Sequence, residues 1–213
     1  MPDFMKIRIS FLLIMLLFCS AAKAQSVAEF SRSAYVKKVE KDRKLKDIEM
    51  LGDEKSPLAE DEKAVFKNLN YFKPKVKFRK EAIFERFDQA THFLMKTTTE
   101  RLPEYSLYGV VTFQHKGKTL TLNVYQNIEL VKKPGYEKHL FIPFNDKTNG
   151  KETYGGGRFM DITETGENKI ILDFNEAYNP YCAYNHKYSC PIPPEENNLN
   201  IKVTAGEKKF HTD

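Results

Sequence analysis

Two carboxylates carry the clearest chemical potential in this chain. Asp161 lies near the end of the run from Arg158 to Ile162, and Asp173 lies in the next run, Lys169 to Phe174. A turn at Thr163-Glu164-Thr165-Gly166-Glu167-Asn168 joins the two runs, so a hairpin could bring the acids close. Neighbouring carboxylates divide acid and base duties when their surroundings separate their pKa values. The competing reading is that strand-end acids satisfy backbone groups in turns. Asn175 projects from the same side of the strand as Asp173. Just upstream, Gly155-Gly156-Gly157-Arg158 could cradle an anion with converging amides and a closing guanidinium. It lacks the Gly-Lys-Ser/Thr ending of a phosphate loop and precedes a strand, so glycines at a bulge or a close backbone approach are the alternative.

Downstream, Tyr178, Asn179, Tyr181, Tyr184 and Tyr188 make an aromatic and polar loop. Rings that stack beside amides that hydrogen-bond suit a sugar or an aromatic ligand, although tyrosines bracing an irregular loop have the same signature. The loop also holds Cys182 and Cys190. A disulfide there would close nine residues and contribute roughly 2.6 kcal/mol in the chain-entropy model. Free thiols remain open, as does a metal on Cys182, His186 and Cys190, for which no fourth ligand is evident. No metal or cofactor is assigned. Pro191, Pro193 and Pro194 read as an extended lead into the last strand. Familiar catalytic signatures are missing: no Gly-x-Ser-x-Gly elbow and no His-Glu-x-x-His helix, with His92, His115, His139 and His211 scattered. Whether the chain is an enzyme stays undecided at this level.

The elements that must position these residues follow from periodicity. Ser26 to Leu51 has no Gly or Pro and pairs Glu40 with Lys44 and Asp42 with Lys46, which predicts a helix stopped by Gly52. Its apolar positions Val27, Phe30, Val36, Val39, Leu45 and Ile48 make a thin stripe, so it should lie on the domain. Ser56 as N-cap, Pro57 and the acids Glu60, Asp61 and Glu62 predict a second helix, docking through Leu58, Val65, Leu69 and Phe72. From Val76 the period becomes two. Strands are expected at 82–87, 93–97, 107–114, 118–125, 139–144, 158–162, 169–174 and 199–204, with a turn at Lys116-Gly117. The fold class is therefore mainly β within α+β: N-terminal helices at 25–75, then an antiparallel sandwich or partly closed barrel of about eight or nine strands over 76–213.

The chain has 213 residues, 41% hydrophobic and 30% charged, which excludes collagenous, low-complexity and polytopic membrane classes. Lys6 and Arg8, the apolar run Phe11 to Phe18 and Ala22-Lys23-Ala24 form a signal peptide, 1–24, cleaved before Gln25. Met5 is the more natural start than Met1. Lipid attachment at Cys19 is disfavoured because Phe18 stands where a small residue is needed. The expected product is an exported, periplasmic or extracellular monomer with no transmembrane segment after cleavage. A net charge of +5 without a cationic aromatic face gives no case for nucleic acid.

One segment has its own texture. Asn145 to Gly150, Glu152-Thr153-Tyr154-Gly155-Gly156-Gly157-Arg158-Phe159-Met160-Asp161, Asp173 to Cys182, Cys190 to Leu199 and Ala205-Gly206-Glu207 follow in order. This order resembles the bacterial family called domain of unknown function 1684, from about the first helix to Glu207, with Thr153 to Glu207 the specific part. Asn198 stands where many members have Arg, which removes one possible anion contact. The resemblance implies a shared fold and functional region, and no reaction. The site is expected at 146–197, with Gly155, Gly156, Gly157, Arg158, Asn175, Tyr178 and Asn179 binding a small polar ligand or an envelope component. The alternatives are a hydrolase using Asp161 and Asp173 with Arg158, and a structural envelope protein without a small-molecule site.

Overall fold

The computed structural model describes residues 30–210, so the signal segment, Cys19 and both candidate starts lie outside the described residues. Among the described residues, the chain from Ser33 onward forms one compact unit. Helix α1 (Arg32–Gly52) buries Tyr35, Val39 and Met50, while Leu45 and Ile48 stay exposed. Its apolar stripe is indeed thin, and polar anchors do much of the docking. Arg43 donates to the carbonyls of Phe72 at 2.8 Å and Asn175 at 3.2 Å, and Asp47 accepts the Leu69 amide at 2.9 Å.

Helix α2 is shorter than expected, Glu60–Val65, and starts from Ala59 rather than Ser56. The reason is local. The Ser56 hydroxyl donates to the Met50 carbonyl at the end of α1, and Glu62 reaches back to the Ala59 amide at 3.0 Å. Leu58 and Leu69 are buried, but Val65 is 76% exposed, because the chain after Val65 runs extended. No helix among the described residues is long and apolar enough to cross a membrane.

The sheet has seven strands: β1 (Arg79–Leu94), β2 (Glu104–His115), β3 (Lys118–Asn127), β4 (His139–Asp146), β5 (Arg158–Thr163), β6 (Lys169–Asp173) and β7 (Asn198–Leu199). Six pair antiparallel in the order β5-β4-β3-β2-β1-β6, and β7 adds to β4 in parallel. The result is a single curled half-barrel, mainly β as expected. The count falls below eight because 82–87 and the start of 93–97, Phe93 and Leu94, belong to one strand, β1, whose register shifts between Arg86 and Thr91. The expected strand 199–204 pairs only over Asn198–Leu199.

Period two decides which side chains meet. Along β4, Leu140, Ile142 and Phe144 join one core with Leu122 and Val124 of β3, whereas Phe141 faces the other way, into a second core with Met95, Tyr105, Tyr125, Phe159, Cys182 and Cys190. On β2 the odd residues change face. Leu107 lies opposite Tyr125, but Gly109 lies opposite Val124, so a bulge at Tyr108 sends Tyr105 and Leu107 into the second core and Val111 and Phe113 into the first. Gly109 is required there, since a Cβ would sit 2.4 Å from the Glu85 carbonyl oxygen.

Gly109→Ala is therefore expected to lower stability by about 1–3 kcal/mol in urea unfolding. Gly52→Ala, at the end of α1 with nothing within 4 Å, should be neutral or stabilising. Equal effects at the two positions would refute the close-approach account.

Candidate functional site

The second core opens into a cleft of about 480 Å³. Its floor is Phe141, Phe159 and Tyr105, placed by the outward registers of β4, β5 and β2. Tyr136 comes from the β3–β4 loop, while Tyr178, Tyr181 and Tyr188 come from the loop after β6. Tyr136 and Tyr181 are each 46% exposed, so two rings face solvent at the rim.

Asp161 supplies the charge. In the β4–β5 register His139 lies opposite Thr163 and Phe141 opposite Asp161, which makes His139 and Asp161 diagonal neighbours on one face. His139 Nε2 lies 3.1 Å from Asp161 Oδ1, and the Tyr178 hydroxyl donates to Oδ2 at 2.8 Å. Burial, and then the Asp161 charge, raise the Tyr178 phenol well above its usual range, so it stays a donor. A neutral imidazole donating through Nε2 leaves Nδ1 with a lone pair, and that atom has no protein hydrogen-bond partner. Asp161, Tyr178 and Tyr181 also line an adjoining cavity of about 460 Å³, whose other wall is α1 and the turn after it, through Lys46, Glu49 and Asp53. Asp161 thus stands at a junction of two cavities.

The other expected site residues lie elsewhere. Asp173 accepts the Tyr35 hydroxyl at 2.6 Å and the Asn175 amide at 2.9 Å, and shares no hydrogen-bond partner with Asp161. The two acids sit on the strands at opposite ends of the sheet order, β5 and β6. Asn175 is buried, bonding Lys75 N and O and the Tyr35 hydroxyl, and so ties α1 to the start of β1. Asn179 donates its amide and side chain to Glu207, which is 1% exposed and also accepts the Tyr184 hydroxyl, with Lys46 Nζ at 3.5 Å. Asn198 bonds Asn145 at 2.9 Å and does not line the cleft.

Arg158 is wholly buried and gathers the C-terminal segment. It donates to Asp146 Oδ2 at 2.6 Å and to the carbonyls of Val203, Ala205 and Glu207 at 2.9, 2.5 and 3.2 Å. Of the three glycines before it, a Cβ at Gly156 would meet the Tyr154 ring at 2.6 Å, and Gly157 alone has a positive φ. Its φ is +90°, and a Cβ would meet Pro193, Asn145 and the Phe144 carbonyl within 3 Å. At Gly155 a Cβ would make only ordinary contact with the Gly150 backbone, 3.8 Å away.

Cys182 and Cys190 are brought together beneath the cleft, and Cys190 lines it. Among the described residues no three His, Cys, Asp or Glu side chains gather as metal ligands, so His186 does not complete a set with them. His139 and Tyr136 were the residues that sequence reasoning passed over. The pairing of 139–144 with 158–162 would have exposed His139, since both strands were legible. Tyr136 lies in a loop that carried no pattern.

Comparison with known proteins agrees with this architecture. The family model described as Protein of unknown function (DUF1684) matches residues 64–208. An uncharacterised protein of Haloarcula marismortui, solved by solution NMR, is 31% identical, covering 83% of this chain and 95% of its own, with a TM-score of 0.64. No curated protein gives a significant match.

Replacing Arg158 leaves Asp146 buried without its counter-charge. Arg158→Met should cost roughly 3–5 kcal/mol in urea unfolding, and adding Asp146→Asn should recover part of that loss. An Arg158→Met protein as stable as the parent would overturn the clamp.

Proposed function

The chain belongs to the DUF1684 family, whose description assigns no activity, and from the site itself we propose that it is an exported protein that binds a small polar, ring-bearing ligand in the Asp161 cleft. The observation that carries the reading is the convergence on Asp161. A half-exposed carboxylate, held by His139 and Tyr178, stands between exposed tyrosine rings at the meeting of two cavities. Mostly aromatic walls with a few fixed polar groups suit an amphipathic ligand such as a sugar unit, with ring faces packing on Tyr136 or Tyr181 and hydroxyls reaching Asp161. A carbohydrate component of the cell envelope fits both this chemistry and the export signal. Within the expected 146–197 segment, the reading gives the ligand to Asp161, Tyr178, Tyr181 and Tyr188, with His139 and Tyr136 added from outside it. Gly155, Gly156, Gly157, Arg158, Asn175 and Asn179 do not line this cleft.

A hydrolase is the second reading, favoured by one observation. The imidazole held by Asp161 keeps a buried Nδ1 without a protein partner, and a histidine so positioned takes a proton only from a water or hydroxyl that reaches that atom. In this version Asp161 orients His139 and is not half of a carboxylate pair, and neither Asp173 nor Arg158 takes part.

Saturation-transfer NMR with neutral mono- and disaccharides tests both readings. The parent protein should show contacts to at least one sugar. Asp161→Asn should weaken that contact about tenfold, as expected for losing a charged hydrogen bond, and Tyr181→Ala should weaken it as well. No contact with any sugar, or contacts indifferent to both substitutions, would sink the binding reading. Cleavage of a bound disaccharide, abolished by His139→Ala, would decide for the hydrolase.

A further inference from the structure

Two thiols that no step above uses lie at the base of the cleft, Cys190 in its lining and Cys182 in the core beneath. Cys182 and Cys190 are both buried, and the Cys182 amide donates to Cys190 Sγ at 3.1 Å. What holds each one differs. The Cys190 segment is pinned to the loop after β1. The Cys190 amide donates to Thr98 Oγ1 at 3.1 Å, the Thr98 amide to the Cys190 carbonyl at 2.9 Å, and the Ile192 amide to the Lys96 carbonyl at 2.9 Å. Arg101 adds a bond to the Ser189 carbonyl at 2.8 Å. Cys182 rides instead on one short turn, Tyr181–Ala183, and that turn presents Tyr181 to the cleft. The rings of Tyr181 and Tyr188 meet edge-on, 5.2 Å between centroids.

We propose that Cys182 and Cys190 form a reversible disulfide site, and that closing it locks the Tyr181 turn against the pinned Tyr188 segment at the mouth of the cleft. The first half stands on the cysteine geometry alone, while the second gains its meaning from the binding role proposed for the cleft. The reaction is thiol–disulfide exchange with an external disulfide, either a small molecule or a disulfide-donating oxidoreductase. Two S–H bonds break and one S–S bond forms. The two electrons and two protons pass to the external disulfide, which leaves as two thiols.

The surroundings favour this exchange. The hydrogen bond from Cys190 brings the Cys182 thiol down to about 7, against the effect of burial, while the same bond and burial push Cys190 up. One thiolate with one neighbouring thiol is the form that starts an exchange near neutral pH. The Tyr154 hydroxyl, 3.7 Å from Cys182 Sγ, points a donor at that thiolate. The flanks of the turn, Asn179 and Tyr184, are tied to Glu207, so what a covalent link adds is to fix Cys182 itself to the pinned Cys190 segment and remove the remaining local opening of the turn.

The test uses the full chain carrying Cys19→Ser, so that only these two thiols remain. The reduced protein is incubated with oxidised glutathione, denatured in iodoacetamide and weighed, and both forms are nitrated with tetranitromethane and mapped by peptide mass. The oxidised form should be about 2 Da lighter than the reduced chain, escape alkylation at both cysteines, and melt roughly 5–10 °C higher. Nitration of Tyr181 should fall about threefold, with Tyr136, which is equally exposed, as the unchanged internal standard. Two alkylated cysteines after oxidation, or glutathione retained on one of them, would overturn the disulfide site. A disulfide that leaves Tyr181 nitration unchanged would overturn the locking. None of these readouts uses a sugar, so a failure of sugar binding alongside a positive result here would indict the ligand and leave the dithiol standing.

Discussion

A guanidinium with no access to water must find its partners inside the protein, and Arg158 finds them in four places at once. Asp146 on β4 supplies the counter-charge, and three carbonyls of the segment 203–207 take further donors. Burying either charge without the other would cost several kcal/mol. The pair therefore forms only when β4, β5 and the C-terminal segment are all in place. Asp146 extends the constraint, because Oδ1 also accepts the Thr148 amide and faces the Val203 amide. A strand pair and a tail about fifty residues downstream are fixed by one ion pair.

That constraint propagates to the cleft. Once the tail is held, Gly206 passes so close to Phe174 and Ala177 that a Cβ would meet their carbonyl oxygens at 2.7 and 2.6 Å, and Glu207 is delivered into the protein. Its carboxylate accepts the Asn179 amide, the Asn179 side chain and the Tyr184 hydroxyl. These bonds suspend the stretch 179–184, which carries Tyr181 and Cys182. The backbone bridge between Phe159 and Tyr178 then brings the Tyr178 hydroxyl to Asp161. Arg158, Glu207 and Asp161 are thus stations on one path from a buried ion pair to an exposed carboxylate.

This path explains what the sequence revealed and what it withheld. The mainly β class, α1 and the Lys116-Gly117 turn were legible because each depends on local periodicity or backbone preference, and both turn residues do adopt positive φ. The bulges were not legible. Alternation in β2 reads smoothly through Tyr108 although the faces exchange there, since a bulge changes pairing without changing residue type. Arg158 was singled out as the closing guanidinium of an anion cradle, and it instead holds Asp146 and the C-terminal segment. Its role was hidden because three of its four partners are main-chain carbonyls, which carry no side-chain signature. The proposed pairing of Asp161 with Asp173 assumed that consecutive strands are neighbours. In the sheet β6 crosses to β1, and the neighbour of β5 is β4, so the partner of Asp161 is His139.

The same geometry bears on what Asp161 can do. Each of its oxygens already has one protein partner, so the carboxylate is oriented rather than loose, and a carboxylate has further lone pairs to offer a ligand. Orientation of this kind lowers the ordering cost of binding, whatever the ligand. It also limits the acid–base options. The Tyr178 phenol, raised well above its usual range by burial and by the Asp161 charge, stays protonated and serves Asp161 only as a donor. The division between binder and enzyme therefore reduces to His139: a brace for Asp161 in the first case, and the proton acceptor in the second.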